Sequence, residues 1–142
     1  MSHEHYSDDM LRGVFASVKS IALVGASANP QRPSHGVMNF LLRRGFAVTP
    51  VNPGLAGQTL LGQTVVASVA DLSAPVDMID VFRNSATIPA LVEEILAMPV
   101  LPKVVWMQLG VVHAEAAEEL EKRGITVIMN RCPAIEIPRL GL

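Results

Sequence analysis

The residues best placed to do chemistry run from Gly25 to Ser34, in the order Gly25-Ala26-Ser27-Ala28-Asn29-Pro30-Gln31-Arg32-Pro33-Ser34. They follow a short apolar run, Ile21 to Val24. They precede Val37, Met38, Phe40, Leu41 and Leu42, apolar positions at helical spacing. A glycine at a strand end lets the chain turn tightly or a ligand approach closely. A helix that starts just beyond it, with Ser34 as the expected N-cap, presents free N–H groups and partial positive charge. Together these groups suit the holding of an anion, a phosphate above all.

The same stretch argues against the commonest nucleotide signatures. A dinucleotide site reads G-x-G-x-x-G at this turn, whereas here Ser27 holds the second position and the next glycine is Gly36. An NAD site meets its ribose with a carboxylate after the second strand. Here Asn52-Pro53 stand there, and no carboxylate follows until Asp71. The P-loop pattern G-x-x-x-x-G-K-[ST] is absent.

Other reactive groups are scattered. Arg32, Arg83 and Arg131 stand at expected loop ends and offer charge to a phosphate. His113 has no carboxylate or nucleophile evident beside it, which argues against catalysis. Cys132, next to Arg131, is either an accessible thiol at the ligand edge or a small buried residue ahead of Pro133. His35 either touches a phosphate or sits exposed at a helix start. Trp106 either flanks an adenine or pantetheine or, inside its apolar run, belongs to the core. His3 and His5 lack a third metal ligand and read as solvated in a flexible tail over residues 1–6. No metal is expected.

The elements that must position these groups alternate. Strands are expected at Ile21 to Val24, Phe46 to Val51, Val76 to Phe82, Lys103 to Leu109 and Ile125 to Met129, each a short apolar run ended by turn residues. Helical patterns cover Leu11 to Val18, Ser34 to Arg44, the region after Ser85 or Thr87, and Ala114 to Arg123. Thr64–Val66 reads as a short extended piece and Ser68–Leu72 as a helical turn. This alternation predicts an α/β fold: an open doubly wound sheet of about five parallel strands, order 3-2-1-4-5, with helices on both faces. Ligands of such sheets bind outside the carboxyl ends of the strands, where the winding reverses. With the strands counted this way, that place lies between strands one and four. The loops Gly25–Ser34, Asn52–Gly54, Phe82–Ser85, Leu109–His113 and Asn130–Pro133 converge on that edge. They supply glycines, hydroxyls, amides and arginines but no carboxylates.

Composition agrees. The 142 residues suffice for one domain; half are hydrophobic, 17% are charged and the net charge is −2. That balance gives no general attraction to nucleic acid or to an anionic membrane. One cysteine, with no signal-peptide or membrane-span pattern, predicts a cytoplasmic protein.

At the strand ends the chain resembles the stand-alone CoA-binding domain proteins. Their Rossmann-like domain is similar to the N-terminal domain of the succinyl-CoA synthetase α-subunit. The resemblance spans about Val18 to Arg139. It rests on Val24-Gly25-Ala26-Ser27 with Asn29-Pro30 and Arg32-Pro33-Ser34, on Val51-Asn52-Pro53, on Asp80-Val81-Phe82-Arg83, on Val105 to Gly110, and on Asn130-Arg131-Cys132-Pro133. It implies coenzyme A, or an acyl-CoA, as ligand. Ser27, Ala28, Asn29 and Pro30 match the synthetase loop that meets the CoA phosphates; Gln108, Leu109 and Gly110 match its turn after strand four. Leu55 departs from the pattern, because the synthetase has a lysine there, so Arg32 or Arg83 must meet phosphate charge instead. The synthetase's catalytic domain has no counterpart in this chain.

The sequence therefore predicts a non-catalytic nucleotide-binding module, a carrier, sensor or regulator that binds CoA. The competing readings are an acyl-CoA- or nucleotide-dependent enzyme using Cys132 or His113, and an NAD-type module. A protein partner stays open.

Overall fold

The computed structural model describes residues 3–142. Helix α1 (Asp8–Ser17) is capped by Ser7, whose Oγ accepts from the Met10 N–H at 3.1 Å, with Asp8 and Asp9 in the first turn. Strand β1 (Ser20–Val24), helix α2 (Pro33–Arg43) and strand β2 (Ala47–Val51) follow. A small hairpin, β3 (Thr59–Leu60) with β4 (Gln63–Thr64), forms a separate two-stranded sheet beside β2. Then come β5 (Met78–Val81), α3 (Ile88–Leu96), β6 (Val104–Met107), α4 (Ala114–Lys122), β7 (Thr126–Ile128) and α5 (Pro133–Arg139).

The main sheet is five-stranded and parallel, in the order β2-β1-β5-β6-β7. Beyond β2, Val66 forms a single parallel bridge to Val51, so the extended piece expected at Thr64–Val66 takes the third place in the winding. The arrangement is thus of the 3-2-1-4-5 kind, with one more strand at the far edge. The strand expected as third, now β5, lies on the other side of β1. The reversal of winding accordingly falls between β1 and β5, one strand nearer than the count from sequence placed it.

Alternate residues of the strands feed two apolar layers, as a sheet covered on both faces requires. Ile21, Leu23, Met78, Trp106 and Ile128 pack with Leu11, Phe15, Met38, Leu41 and Ile137 from α1, α2 and α5. Ala22, Val24, Ile79, Val105 and Val127 pack with Val92 and Ile95 of α3 and Leu120 of α4. Among the described residues, no helix is long and apolar enough to cross a membrane.

Two local expectations are corrected. Ser34 is not the N-cap of α2. Pro33 opens the helix, its ring fixing a helical φ, and forces Arg32 before it into extended backbone; Arg32 is therefore the N-cap and makes no side-chain cap bond. The segment expected as a solvated tail is tied down from His3 onward. Tyr6 is buried, its hydroxyl accepts from the Met129 N–H at 2.9 Å, and His3 bonds Tyr6 Oη and Glu121 Oε1, each at 2.6 Å. Burying the Tyr6 ring favours this contact, and the backbone of β7's end satisfies its hydroxyl. Residues 1–2 of that tail lie outside the described residues.

Candidate functional site

The site is built on the glycine that ends β1. Gly25 has φ +91°, a conformation glycine adopts without cost, and both its N–H and that of Ala26 donate to the Val51 carbonyl, at 3.0 and 3.3 Å. Asn52, at the end of β2, fastens this turn to its neighbour. Its Nδ2 donates to the Ala26 carbonyl at 2.7 Å while its Oδ1 accepts from Gly54 N–H at 2.8 Å. The following loop folds on itself: Ser27 Oγ accepts from Asn29 N–H, Asn29 Oδ1 from Gln31 N–H, and the Asn29 carbonyl from Arg32 N–H. The chain is thereby delivered to the N-terminus of α2, whose first turn carries no acidic residue.

These elements enclose a cleft of about 520 Å³ at the carboxyl edge of the sheet. One wall is Gly25, Ala26, Ser27 and Arg32 to Ser34, with Val37 from the next turn of α2; Asn52, Phe82 and Arg83 close the strand ends; Gln108, Leu109, Val111 and Cys132 form the far wall. None of these lining residues is a carboxylate. The Arg32 and Arg83 side chains have no hydrogen bond or ion pair with another described residue. A second cavity, about 370 Å³, adjoins it. Val24, Val51 and Pro53 line it on one side and Thr87, Ala90, Leu91 and Glu94 on the other, with the 67–69 segment between. Arg83 lines both cavities and so stands at the divide.

Residues 19–138 match the family described as CoA binding domain. The chain belongs to that family. It is also similar to the uncharacterized protein YneT of Bacillus subtilis, 36% identical over 122 residues that cover 86% of this chain and 87% of that one. Among solved structures, a Thermus thermophilus protein superposes with a TM-score of 0.89 at 40% identity, covering 95% of this chain and 99% of its own. A hypothetical protein from Pyrococcus horikoshii OT3 gives the same TM-score at 32% identity, with both chains covered in full.

The structure brings most of the sequence-predicted residues to the two cavities, but not all. Ala28, Asn29 and Pro30 are exposed in the self-bonded loop and line neither. Gly110 is also outside; its N–H donates to Asn130 Oδ1 at 2.8 Å. Arg131 turns away from the cleft. Its guanidinium lies 5.1 Å over the Tyr6 ring and donates to the Asn130 and Glu4 carbonyls. Asn52 lines the cleft, yet both ends of its amide are engaged in holding the turn.

Of the weighed alternatives, Trp106 is core: it is fully buried and its Nε1 donates to the Arg131 carbonyl at 2.9 Å. His113 is the N-cap of α4, its Nδ1 accepting from Ala116 N–H at 3.1 Å. His35 lines neither cavity. Cys132 is buried, as one of its two readings has it, and it also lines the cleft. Sequence reasoning missed Val37 and Val111. Val37 was legible as an inward position of α2 one turn past Pro33, whereas Val111 follows a glycine turn and carries no periodic signal. Asp80, which the sequence offers only as part of the Asp80-Val81-Phe82-Arg83 motif, lies fully buried with its carboxyl held well above the usual carboxylate range by burial.

Proposed function

We propose that the chain binds coenzyme A or an acyl-CoA in the cleft at the β1–β5 edge, acting as a non-catalytic carrier, sensor or regulatory module. The observation that carries this reading is a cleft free of carboxylates that holds the N-terminus of α2 with its N-cap Arg32, and Arg83 from the end of β5, both arginines unpaired among the described residues. A helix N-terminus and arginines are the groups that hold phosphates. The apolar side chains of Phe82, Leu109 and Val111 suit the less polar arm of such a ligand. Gly25, Ala26, Ser27, Pro33 and Ser34 would meet the pyrophosphate end. Val51 and Pro53 face the adjoining cavity, with Arg83 between the two.

The non-catalytic part of the reading is supported by how the titratable groups are used: His113 caps a helix, and among the described residues no base is bonded to Cys132. An NAD-type site is less well served, because Asn52 stands where the ribose carboxylate would be. Thermal melts with added CoA test the proposal. A ligand at about 100 times its Kd stabilises by roughly 2.7 kcal/mol, which for a domain near this size raises Tm by about 5–10 °C. An unchanged Tm at millimolar CoA overturns it.

A further inference from the structure

Three buried side-chain oxygens have no hydrogen-bond partner among the described residues: Asp80 Oδ1, Asp80 Oδ2 and Gln108 Oε1. They are neighbours in the sheet. Asp80 of β5 stands level with Leu23 of β1 and Trp106 of β6, both of which face the layer under α1, α2 and α5. Gln108 is two residues beyond Trp106 and continues the ladder, its N–H donating to the Val81 carbonyl at 3.1 Å. It therefore returns to the same face, where it lines the cleft beside Phe82 and Cys132 of that layer. On parallel strands, diagonal neighbours of this kind stand about 8 Å apart at their Cβ atoms, a gap that an aspartate and a glutamine side chain span together.

The unmet needs are complementary. An amide oxygen requires a donor, and burial favours the protonated form of Asp80, which carries an O–H. The Trp106 indole N–H, which faces the same layer, is committed to the Arg131 carbonyl. We propose that Asp80 is a positioning residue: its O–H donates to Gln108 Oε1 and so turns the Gln108 NH2 group into the cleft as a donor. The ligand group it meets is a neutral carbonyl oxygen, because Leu109 and Val111 on this wall are apolar, Cys132 offers only sulfur, and no cation stands among them. Resting on the CoA reading, this places the amide-bearing arm of the ligand, rather than its phosphates, against β6.

Calorimetric titration with two ligands tests it: CoA, and adenosine 3′,5′-bisphosphate, which has no such arm. Gln108→Leu and Asp80→Val should each weaken CoA about ten-fold, the worth of one hydrogen bond, and leave the bisphosphate affinity unchanged. Asp80→Val in a Gln108→Leu background should cost nothing further, since one residue acts through the other. Asp80→Asn preserves volume and supplies an N–H donor, so it should keep wild-type affinity for both ligands. It also guards against a fold that does not tolerate valine. Additive losses, equal weakening of the bisphosphate, or a ten-fold loss with Asp80→Asn would overturn the proposal. Failure of the unaltered chain to bind either ligand would overturn the CoA reading itself and this inference with it.

Discussion

A Cβ placed on Gly25 would stand 2.2 Å from the carbonyl oxygen of Phe82. The contact joins the ends of β1 and β5, the strands between which the winding reverses, and it leaves no room for a side chain. Gly25→Ala must therefore strain a φ of +91° and push two strand ends apart. Strain of this kind together with overpacking costs about 2–4 kcal/mol, on the order of 10 °C in Tm. A melt of the variant within a degree or two of the parent would show that the turn relaxes freely.

Asn52 gives a second test of the turn. Asn52→Asp keeps an acceptor for the Gly54 N–H but sets a carboxylate oxygen against the Ala26 carbonyl, where the amide now donates. The loss of one bond and the new repulsion should cost about 1–3 kcal/mol. Chemical denaturation measures it. An Asp variant as stable as the parent would mean that the Ala26 carbonyl finds another donor.

The buried acid predicts a pH dependence of stability. Asp80 has a folded-state pKa well above its unfolded value, so above about pH 4 the unfolded chain has released this proton while the native chain keeps it. Stability from this group is complete below the unfolded pKa and falls as pH rises toward the folded one, by up to about 1.4 kcal/mol per pH unit. Asp77 acts in the opposite sense and at lower pH. The Lys19 backbone N–H above all, with Ser20 N–H and Lys103, holds its carboxyl below the usual range, so its contribution is lost on acidification. Asp80→Asn should therefore gain stability relative to the parent steadily as pH rises from 4. Parallel stability curves for the two proteins would show that Asp80 ionises in the fold.

How much of this was legible follows from how local each determinant is. The Gly25 turn and the alternating apolar runs depend on neighbours in sequence, and the structure bears them out. Arg131 does not: its partners, Glu4 and Tyr6, come from the other end of the chain, and nothing within the Asn130-Arg131-Cys132 stretch signals them. Asn52 looked like a ligand group because it ends a strand at the right edge, but a single amide can fasten two backbone segments as readily as hold a ligand. The count of strands slipped because the extended piece at Thr64–Val66 contributes only the Val66 bridge beside β2, and a pairing that short leaves no sign of itself in the sequence. Asp80 was visible as the one charge in Met78-Ile79-Asp80-Val81, a signal that the functional reading passed over.

Cys132, buried on the cleft wall, predicts a covalent adduct. If the thiol end of the ligand reaches that wall, the Cys132 thiolate attacks one sulfur of CoA disulfide and the second CoA leaves as its thiolate, an exchange with no net oxidation. Intact-mass spectra should then show a gain of one CoA less two hydrogens, absent in Cys132→Ala and reversed by a reducing agent. An unmodified mass would place the thiol end elsewhere.

The last prediction separates ligands by charge. CoA, dephospho-CoA and NAD share an adenosine and a pyrophosphate, so the α2 N-terminus can serve all of them. They differ at the ribose, where only CoA carries a 3′-phosphate. A carboxylate would repel that group and an arginine would attract it. Arg83 stands between the two cavities and Arg32 on the rim of the larger, neither with a partner among the described residues. CoA should therefore bind more tightly than dephospho-CoA, and both more tightly than NAD. One charge-assisted contact is worth roughly 1.5–3 kcal/mol, or about ten- to a hundred-fold in affinity. Titrations of the three ligands at fixed ionic strength, repeated with Arg83→Ala and Arg32→Ala, decide the matter. The variant that has lost the 3′-phosphate contact should bind CoA and dephospho-CoA alike, because the advantage of the extra phosphate disappears with its partner. Equal affinity of the parent for NAD and CoA would revive the dinucleotide reading. Full CoA preference in both variants would leave CoA as the ligand and move its 3′-phosphate away from both arginines.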